Sequence, residues 1–250
     1  MSKETINMAI VEAKNLSRVY GSGDMAVTAL DAVSLSVEAG EFVAVMGPSG
    51  CGKSTLLNLI GGLDTPSSGS VMIDGRDIAG MNDTELTALR RQRIGFVFQF
   101  FNLIPVLSSV ENVALPLVLD GKKADEANAA ASDWLKRIGL GDRLKNRPDQ
   151  LSGGQQQRVA VARALVSEPA LILADEPTGN LDSRSSDEIA ALLKQVSGEW
   201  GRAILMVTHD PRIAAHADRI VFMRDGRVVD DAKISGAESA RAAMEKVGLL

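Results

Sequence analysis

The chain has 250 residues, of which 45% are hydrophobic and 24% charged, so it can bury a core and does not have the composition of a disordered protein. Its 32 acidic and 27 basic side chains give a formal net charge of −5, which argues against a broad nucleic-acid-binding face. No stretch reaches the roughly 18 consecutive apolar residues of a spanning helix, and residues 1–10 lack a signal-peptide pattern. The single cysteine excludes an internal disulfide and a cysteine-built zinc site. We expect a folded cytosolic protein.

Strand patterns begin near the amino terminus. Segments 10–19, 30–37 and 70–73, with Gly, Ser and Asp turns between them, predict a small antiparallel sheet. From residue 42 onward, short apolar runs alternate with helical patterns, which is typical of a parallel α/β sheet. The predicted strands of that sheet are 42–46, 94–98, 171–174, 204–208 and 220–223.

The pattern turns helical between the second and third of these strands. The segments with apolar residues at helical spacing are 109–119, 124–138 and 155–167. They predict a helical subdomain inserted into the sheet-bearing core. We expect one domain over 1–250, with an α/β core in 1–99 and 158–250 and a helical part in 100–157. A short amphipathic helix is predicted within 235–250.

A glycine-rich segment follows the predicted strand 42–46 and opens a predicted helix at 54–60. It matches the pattern G-x-x-x-x-G-K-[ST] and reads Gly47, Pro48, Ser49, Gly50, Cys51, Gly52, Lys53 and Ser54. Glycines let backbone N–H groups close around phosphate oxygens, and the helix N-terminus adds its dipole. Lys53 is placed to reach the β- and γ-phosphates, and Ser54 to offer its hydroxyl to Mg²⁺. A plain strand-to-helix turn is the alternative, and Cys51 is expected to be a small filler.

Two acids, Asp175 and Glu176, end the apolar strand at 171–174. The last residues of a buried parallel strand lie at the ligand-binding edge of the sheet. Asp175 there is suited to hold Mg²⁺, directly or through water, and Glu176 to polarise an attacking water. A solvated strand-end cap is the alternative for the pair alone, and the phosphate loop in the same chain favours catalysis.

A second candidate anion site precedes the predicted helix at 156–167. The segment Leu151-Ser152-Gly153-Gly154-Gln155 presents a hydroxyl and two glycine N–H groups at a helix N-terminus. Taken alone, this pentapeptide is better explained as an ordinary helix entry. The residues themselves leave both interpretations open.

Together these motifs resemble the ATP-binding subunit of ATP-binding cassette (ABC) transporters, over about residues 10–230. The resemblance implies an α/β fold, a P-loop NTPase core with a mainly parallel sheet, a flanking antiparallel β subdomain and an inserted α-helical subdomain. It implies ATP and Mg²⁺ as cofactors. It also implies that two copies of the chain sandwich two ATP molecules head to tail.

The resemblance also implies a role for each candidate residue. Glu176, His209 and Gln99 would be catalytic, with His209 at the γ-phosphate and Gln99 sensing Mg²⁺ and water. Tyr20 would stack on adenine. The remaining ATP-binding residues of the same chain would be Gly47, Pro48, Ser49, Gly50, Cys51, Gly52, Lys53, Ser54 and Thr55. The other subunit would supply Ser152, Gly153, Gly154, Gln155 and Asp182, and the Mg²⁺ ligands would be Ser54, Gln99 and Asp175.

Structural roles stay open for three of these residues when they are judged from the sequence alone. Tyr20 could be surface packing at a strand end. His209 could be an ordinary loop histidine, although it follows a core strand at the same edge as Glu176. Asp182 could cap the helix that starts near residue 183, which is compatible with a role between subunits.

Segments 61–64, 95–105, 111–117 and 175–182 look like the bacterial lipoprotein-release and macrolide-export branch of the family. This likeness implies an ATP-hydrolysing subunit, peripheral on the inner face of the membrane. It would energise a separate permease that exports or releases a lipoprotein, peptide or hydrophobic substrate. The alternative is a non-transporting membrane partner, as in cell-division signalling. A DNA-repair ATPase is disfavoured because the chain between Lys53 and Ser152 has no room for a long coiled coil.

An apolar cluster directly follows Gln99 and consists of Phe100, Phe101, Leu103 and Ile104. We expect this cluster to receive a short cytoplasmic helix of the permease; the alternative is that it packs inside the helical subdomain. Two further aromatic residues, Phe96 and Phe98, alternate along the preceding strand and are expected in the core.

Overall fold

Two β-sheets and eight α-helices organise the residues that the computed structural model describes, 9–248. The strands are β1 (Ala9–Tyr20), β2 (Val27–Glu38), β3 (Phe42–Met46), β4 (Ser68–Ile73), β5 (Arg76–Asp77), β6 (Ile94–Phe98), β7 (Leu171–Asp175), β8 (Ala203–Val207), β9 (Arg219–Arg224) and β10 (Arg227–Lys233). The helices are α1 (Lys53–Ile60), α2 (Asp83–Arg93), α3 (Ser109–Leu119), α4 (Ala124–Arg137), α5 (Gly153–Leu165), α6 (Ser183–Gly198), α7 (Pro211–Ala214) and α8 (Ala237–Lys246).

The central sheet has six strands in the order β10-β9-β3-β8-β7-β6. All neighbouring strands are parallel except β10, which pairs antiparallel with β9. Strands β3 and β8 are buried along their whole length, which explains why they read as continuous apolar runs rather than as alternating patterns. Because β3, β6, β7 and β8 are parallel, the segments that follow them leave the sheet at one edge. The predicted parallel core is confirmed.

The antiparallel sheet has the order β2-β1-β4-β5 and confirms the predicted hairpin strands. Its apolar side chains, such as Val11 and Val33, lie in one cluster with Leu56 and Leu59 of α1 and Leu205 of β8. Helix α1 is therefore packed between the two sheets. This packing fixes the N-terminus of α1, where the phosphate loop ends, relative to the edge of the central sheet.

Helices α3, α4 and α5 form the predicted helical part, and their apolar faces share a second cluster with the other face of the central sheet. Trp134 of α4 packs edge-to-face against Trp200, with ring centroids 5.1 Å apart. Helix α5 contributes to this cluster through residues between Val159 and Leu165, and residue 157, at which the sequence-based division falls, lies inside the same helix. The predicted domain extends over 1–250, and residues 1–8 and 249–250 lie outside the described part. Across 9–248, no helix combines the length and hydropathy needed to cross a bilayer.

Candidate nucleotide-binding and catalytic site

The phosphate loop runs from the end of β3 to the start of α1 and depends on glycine at close approaches. A Cβ added to Gly47 would lie 2.2 Å from the carbonyl oxygen of Met223. Gly52, the N-cap of α1, has φ +101°, and a Cβ there would lie 2.3 Å from the carbonyl oxygen of Ala29. These contacts and this left-handed conformation exclude larger side chains. The loop therefore brings backbone groups to the N-terminus of α1, as the sequence pattern predicts.

Lys53 is held by the phosphate loop itself. Its Nζ donates to the carbonyl oxygens of Gly47, at 2.8 Å, and Pro48, at 2.9 Å, and the side chain is only 8% exposed. This buried ammonium group is bonded to neutral carbonyls and has no paired carboxylate among residues 9–248, so it is suited to an anionic ligand. Cys51, within the loop, is buried with its Sγ 3.9 Å from Lys53 Nζ, in agreement with its expected role as a small filler.

Ser54 and Asp175 join the start of α1 to the end of β7. The Ser54 hydroxyl donates to Asp175 Oδ1 at 3.3 Å. Burial of the Asp175 carboxylate raises its pKa above the ordinary value, and the charge of Glu176 adds to this. The Ser54 bond and the charge of Lys53 lower the pKa but do not cancel the rise. A hydroxyl and a destabilised carboxylate are hard oxygen donors of the kind that Mg²⁺ prefers, so this pair fits the predicted metal.

Glu176 and His209 also meet at this edge. His209 Nδ1 lies 2.9 Å from Glu176 Oε1, and the His209 backbone N–H donates to Glu176 Oε2 at 3.4 Å. The Glu176 N–H donates to the carbonyl of Val207 at 3.0 Å, while its φ of +46° is left-handed. Such a backbone costs on the order of 1–3 kcal/mol and is found preferentially at functional sites. The structure thus brings two predicted catalytic residues into direct contact.

Gln99 directly follows β6 and contacts the turn that comes after Glu176. Its Nε2 donates to Asn180 Oδ1 at 3.3 Å, and Asn180 Nδ2 donates to the Gln99 carbonyl at 3.1 Å. A Cβ added to Gly179 would lie 2.8 Å from Gln99 Nε2, so the glycine makes room for this contact. Within residues 9–248, Gln99 forms no hydrogen bond with Ser54 or Asp175, and its metal role stays a prediction.

Tyr20 has two specific partners at the end of β1. Its hydroxyl donates to Asp64 Oδ2 at 2.8 Å, and the Arg18 guanidinium lies over its ring, 4.6 Å from the centroid. Arg18 also donates to both oxygens of Asp64, at 3.0 and 2.7 Å. Burial raises the pKa of Asp64, but the bonds from Tyr20, the Thr65 N–H and Arg18 outweigh it, and the pKa is lowered. One face of the Tyr20 ring is covered by Arg18, and its stacking on adenine stays a prediction.

The residues expected to serve the other subunit lie at two adjacent helix N-termini. Ser152 caps α5: its Oγ accepts from the Gln155 N–H at 3.3 Å, and Gln155 Oε1 accepts from the Ser152 N–H at 3.0 Å. Asp182 caps α6 by accepting from the N–H and hydroxyl of Ser185, both at 2.9 Å, which lowers its pKa. A Cβ added to Gly154 would lie 2.9 Å from Ser185 Oγ. The two caps are therefore neighbours, and both have the structural role that the sequence left open.

The apolar cluster after Gln99 is divided between surface and interior. Phe100 is 72% exposed and Ile104 is 36% exposed, whereas Phe101 and Leu103 are half-buried and Leu103 packs against the helical core. Phe100 and Ile104 are therefore at the surface, as docking of a partner requires, whereas Leu103 packs inside, as the alternative predicts.

Phe96 and Phe98 differ from the sequence-based expectation. Their rings are half-buried and stacked, with centroids 5.7 Å apart, and they line a groove of about 490 Å³ together with Leu63, Pro116 and Arg163. The expectation that both belong to the core holds only in part: Phe96 packs against the cluster that contains Leu56 and Leu59, whereas Phe98 is in neither core cluster of the described residues, because β6 is an edge strand.

Sequence reasoning missed two polar residues of α5. Gln157 is fully buried, and the Arg163 guanidinium donates to the carbonyls of Phe101, at 2.8 Å, and Asn102, at 2.5 Å. Burial lowers the pKa of Arg163. A signal for Gln157 was present, because positions 157, 160, 161 and 164 form one helical stripe whose other members are apolar.

Comparison with known proteins places this geometry in a family. The chain matches the ABC transporter family over residues 30–179. It is 50% identical over 231 residues to the macrolide export ATP-binding/permease protein MacB 1/2 of Paracoccus denitrificans, covering 92% of this chain and 34% of that protein. It is 47% identical over 226 residues to the lipoprotein-releasing system ATP-binding protein LolD of Chromohalobacter salexigens, covering 90% and 95%. The chain spans about a third of the length of the MacB relatives.

A solved structure agrees with the whole fold. The dimeric ATP-binding cassette MJ0796 of Methanocaldococcus jannaschii, bound to ADP and Pi in a post-hydrolysis state, matches with a TM-score of 0.82 and 47% identity over 90% of this chain and 99% of that one. The chain therefore belongs to the ABC transporter family, among the ATP-binding cassettes of the lipoprotein-release and macrolide-export branch.

Proposed function

We propose that this chain binds and hydrolyses ATP and thereby drives a separate membrane permease. The observation that carries the proposal is the arrangement at one edge of the central sheet of Lys53, the bonded pair of Ser54 and Asp175, and the bonded pair of Glu176 and His209. A cation, a metal-binding pair and a carboxylate near a phosphate loop are the groups that phosphoryl transfer to water needs. The dimeric MJ0796 cassette, bound to ADP and Pi, supports the same reaction class.

Each residue has a distinct chemical task in this proposal. Lys53 and the N–H groups of residues 47 and 49–55 bind the phosphates, Pro48 belongs to the same loop but has no N–H to donate, and Tyr20 stacks on adenine. Ser54, Asp175 and Gln99 would hold Mg²⁺, which when bound offsets phosphate charge. Glu176 accepts the proton of the attacking water, and His209, bonded to the same carboxylate, contacts the γ-phosphate.

The proposal includes a dimer of this chain. The Ser152–Gln155 segment and Asp182 lie side by side at the N-termini of α5 and α6, so one surface presents both to a partner. In the dimer they complete the nucleotide site of the other copy. The dimeric structures of MJ0796 support this arrangement.

The relatives support a permease partner and the class of cargo. MacB is named as a macrolide exporter with a permease, and LolD as part of a lipoprotein-releasing system. We infer by analogy that this chain forms one cassette domain, with 100–157 as its helical part, and acts at the inner face of the membrane. Its permease would dock near Phe100, Phe101, Leu103 and Ile104 and move a lipoprotein, peptide or hydrophobic substrate. A non-transporting membrane partner is the second candidate.

Two variants test the ATPase function. Lys53→Ala should abolish productive ATP binding because it removes the charged phosphate contact. Glu176→Gln should preserve binding, trap an ATP-bound dimer, and slow hydrolysis by roughly 10²- to 10⁴-fold, because the general base is lost while its shape is kept. Steady-state phosphate release and the mass of the dimer with ATP and Mg²⁺ measure both effects. Full activity of Glu176→Gln would remove Glu176 from this role.

A further inference from the structure

Gln157 lies on α5, and its side chain joins two loops of the catalytic site. Its Nε2 donates to the carbonyl oxygen of Pro177 at 2.5 Å and to that of Phe98 at 3.2 Å. Pro177 directly follows Glu176, and Phe98 directly precedes Gln99. One amide group therefore holds the backbone beside two candidate catalytic residues that are far apart in the sequence.

The burial of this amide is unfavourable apart from these two bonds. Gln157 is 0% exposed, and its Oε1 has no hydrogen-bond partner within residues 9–248. Its neighbours on the same helical stripe, including Val161 and Ala164, are apolar. Since a buried polar atom without a partner lowers stability, an aliphatic side chain would suit this position better if only packing mattered. The two donated bonds therefore explain why an amide stands here.

The same two loops are also joined on their outer side, but by exposed groups. The bonds between Gln99 and Asn180 lie at the surface, where water competes with them. The bond from Gln157 to Pro177 lies inside the protein, where a hydrogen bond is electrostatically stronger. The inner contact is therefore better suited to keep the two loops in a fixed relation.

From this arrangement we propose that Gln157 is a positioning residue for hydrolysis: it fixes the backbone that carries Glu176 relative to Gln99 and to α5. The inference rests on the proposed function, since it takes Glu176 to act on water. Helix α5 begins beside Ser152, which in that proposal reaches the partner's nucleotide. A shift of α5 would therefore move the backbone next to Glu176 of the same chain, because Gln157 joins the two.

The central test is Gln157→Met in the full chain, a change that keeps the side-chain length and removes both donors. We expect kcat to fall by about 10²-fold, as for a small misplacement of a catalytic group. The KM for ATP should stay near that of the wild type, because Gln157 bonds to no residue of the phosphate loop in the described part of the chain. The matched control is Gln156→Met, whose lost bond goes to the Leu151 carbonyl and which should keep the wild-type kcat.

A double variant separates positioning from a general loss of folded protein. If Gln157 acts through Glu176, Gln157→Met should add little to the defect of Glu176→Gln, because the two changes remove one function. A fall in kcat of the same size when Gln157→Met is added to Glu176→Gln would overturn the proposal, as would a wild-type kcat for Gln157→Met alone. A wild-type protein without ATPase activity would instead overturn the proposed function, whereas a fully active Glu176→Gln would remove Glu176 from the role of general base and leave the ATPase function standing.

Gln157→Glu keeps the test available if the methionine variant does not fold. The introduced carboxyl group faces two carbonyl oxygens, to which its ionised form cannot donate. Its protonated form donates one hydrogen bond, and burial favours that form. The kcat of this variant relative to the wild type should therefore recover as the pH is lowered. A ratio that stays about 10²-fold below one even at acidic pH, in a folded protein, would contradict the positioning role.

Discussion

Asp175 shows how a site residue can oppose the stability of the protein that carries it. Its carboxylate is partly buried beside that of Glu176, and both effects raise its pKa. A folded-state pKa above the unfolded one means that the ionised carboxylate destabilises the folded protein at neutral pH. As the pH falls through the raised pKa, the group is protonated and this destabilisation is lost.

We expect Asp175→Asn to raise the melting temperature of the nucleotide-free protein at neutral pH while it abolishes hydrolysis. The amide keeps the shape of the side chain and removes a desolvated charge that repels Glu176. Thermal melts of both proteins from neutral to acidic pH measure the effect. The difference in melting temperature between the variant and the wild type should shrink toward acidic pH. A difference that grows there would contradict this account.

At the scale of elements, α3 anchors the loop that follows the apolar cluster. Asn112 is fully buried, and its Oδ1 accepts from the Ile104 N–H at 2.7 Å. Its Nδ2 donates to the carbonyls of Ile104, Leu107 and Ser108, each at 3.1 Å. A single side chain therefore bonds to four backbone groups of the turn before α3 and fixes the backbone of Ile104.

Asn112→Ala should lower the free energy of unfolding by about 1–3 kcal/mol for each backbone group that stays buried without a partner. Urea unfolding measures this change. Asn128→Ala, in the half-buried part of α4, is the matched control and should cost much less, since alanine is the best helix former. Equal losses in the two variants would show that the bonds of Asn112 contribute little.

At the scale of the whole molecule, the parallel sheet places the phosphate loop, Asp175 and His209 on one edge, whereas Ser152 and Asp182 lie together at the starts of α5 and α6. Within residues 9–248, no hydrogen bond joins Ser152 to the phosphate loop of its own chain. Two such surfaces facing each other would give two complete sites, so activity should depend on which chain carries which residue.

Mixed dimers test this dependence. A dimer with Lys53→Ala on one chain and Ser152→Ala on the other keeps one intact composite site. A dimer with both changes on one chain damages each site once. We expect faster ATP turnover from the first, measured on dimers purified through two different affinity tags. Equal turnover of the two dimers would contradict a shared site.

A second prediction at this scale concerns the permease. Phe100→Asp should weaken co-purification with the membrane permease while the melting temperature stays close to that of the wild type, because the ring is 72% exposed. Leu103→Asp is the contrasting variant: it should lower the melting temperature, because Leu103 packs against the helical core. Native binding by Phe100→Asp would place the docking surface elsewhere.

The amino-acid sequence determined the features that depend on short segments. Buried parallel strands are continuous apolar runs, so β3, β7 and β8 could be predicted within one or two residues. The phosphate loop and the acids after β7 could be predicted because their glycines, lysine and carboxylates stand at fixed offsets from a strand end. Polar or edge elements were missed: α2 buries only Leu89, and β10 alternates on an exposed edge.

Only the tertiary structure decided which side chains from distant segments meet. The bond between Glu176 and His209, the contact of Tyr20 with Asp64, and the two carbonyls held by Gln157 each join residues that no local pattern relates. Burial follows the same rule, because Phe96 and Phe98 have a core-like pattern and yet line a groove at the edge strand. Local periodicity specifies a strand or helix and its apolar face, whereas the neighbour that covers that face is set by how all the elements pack.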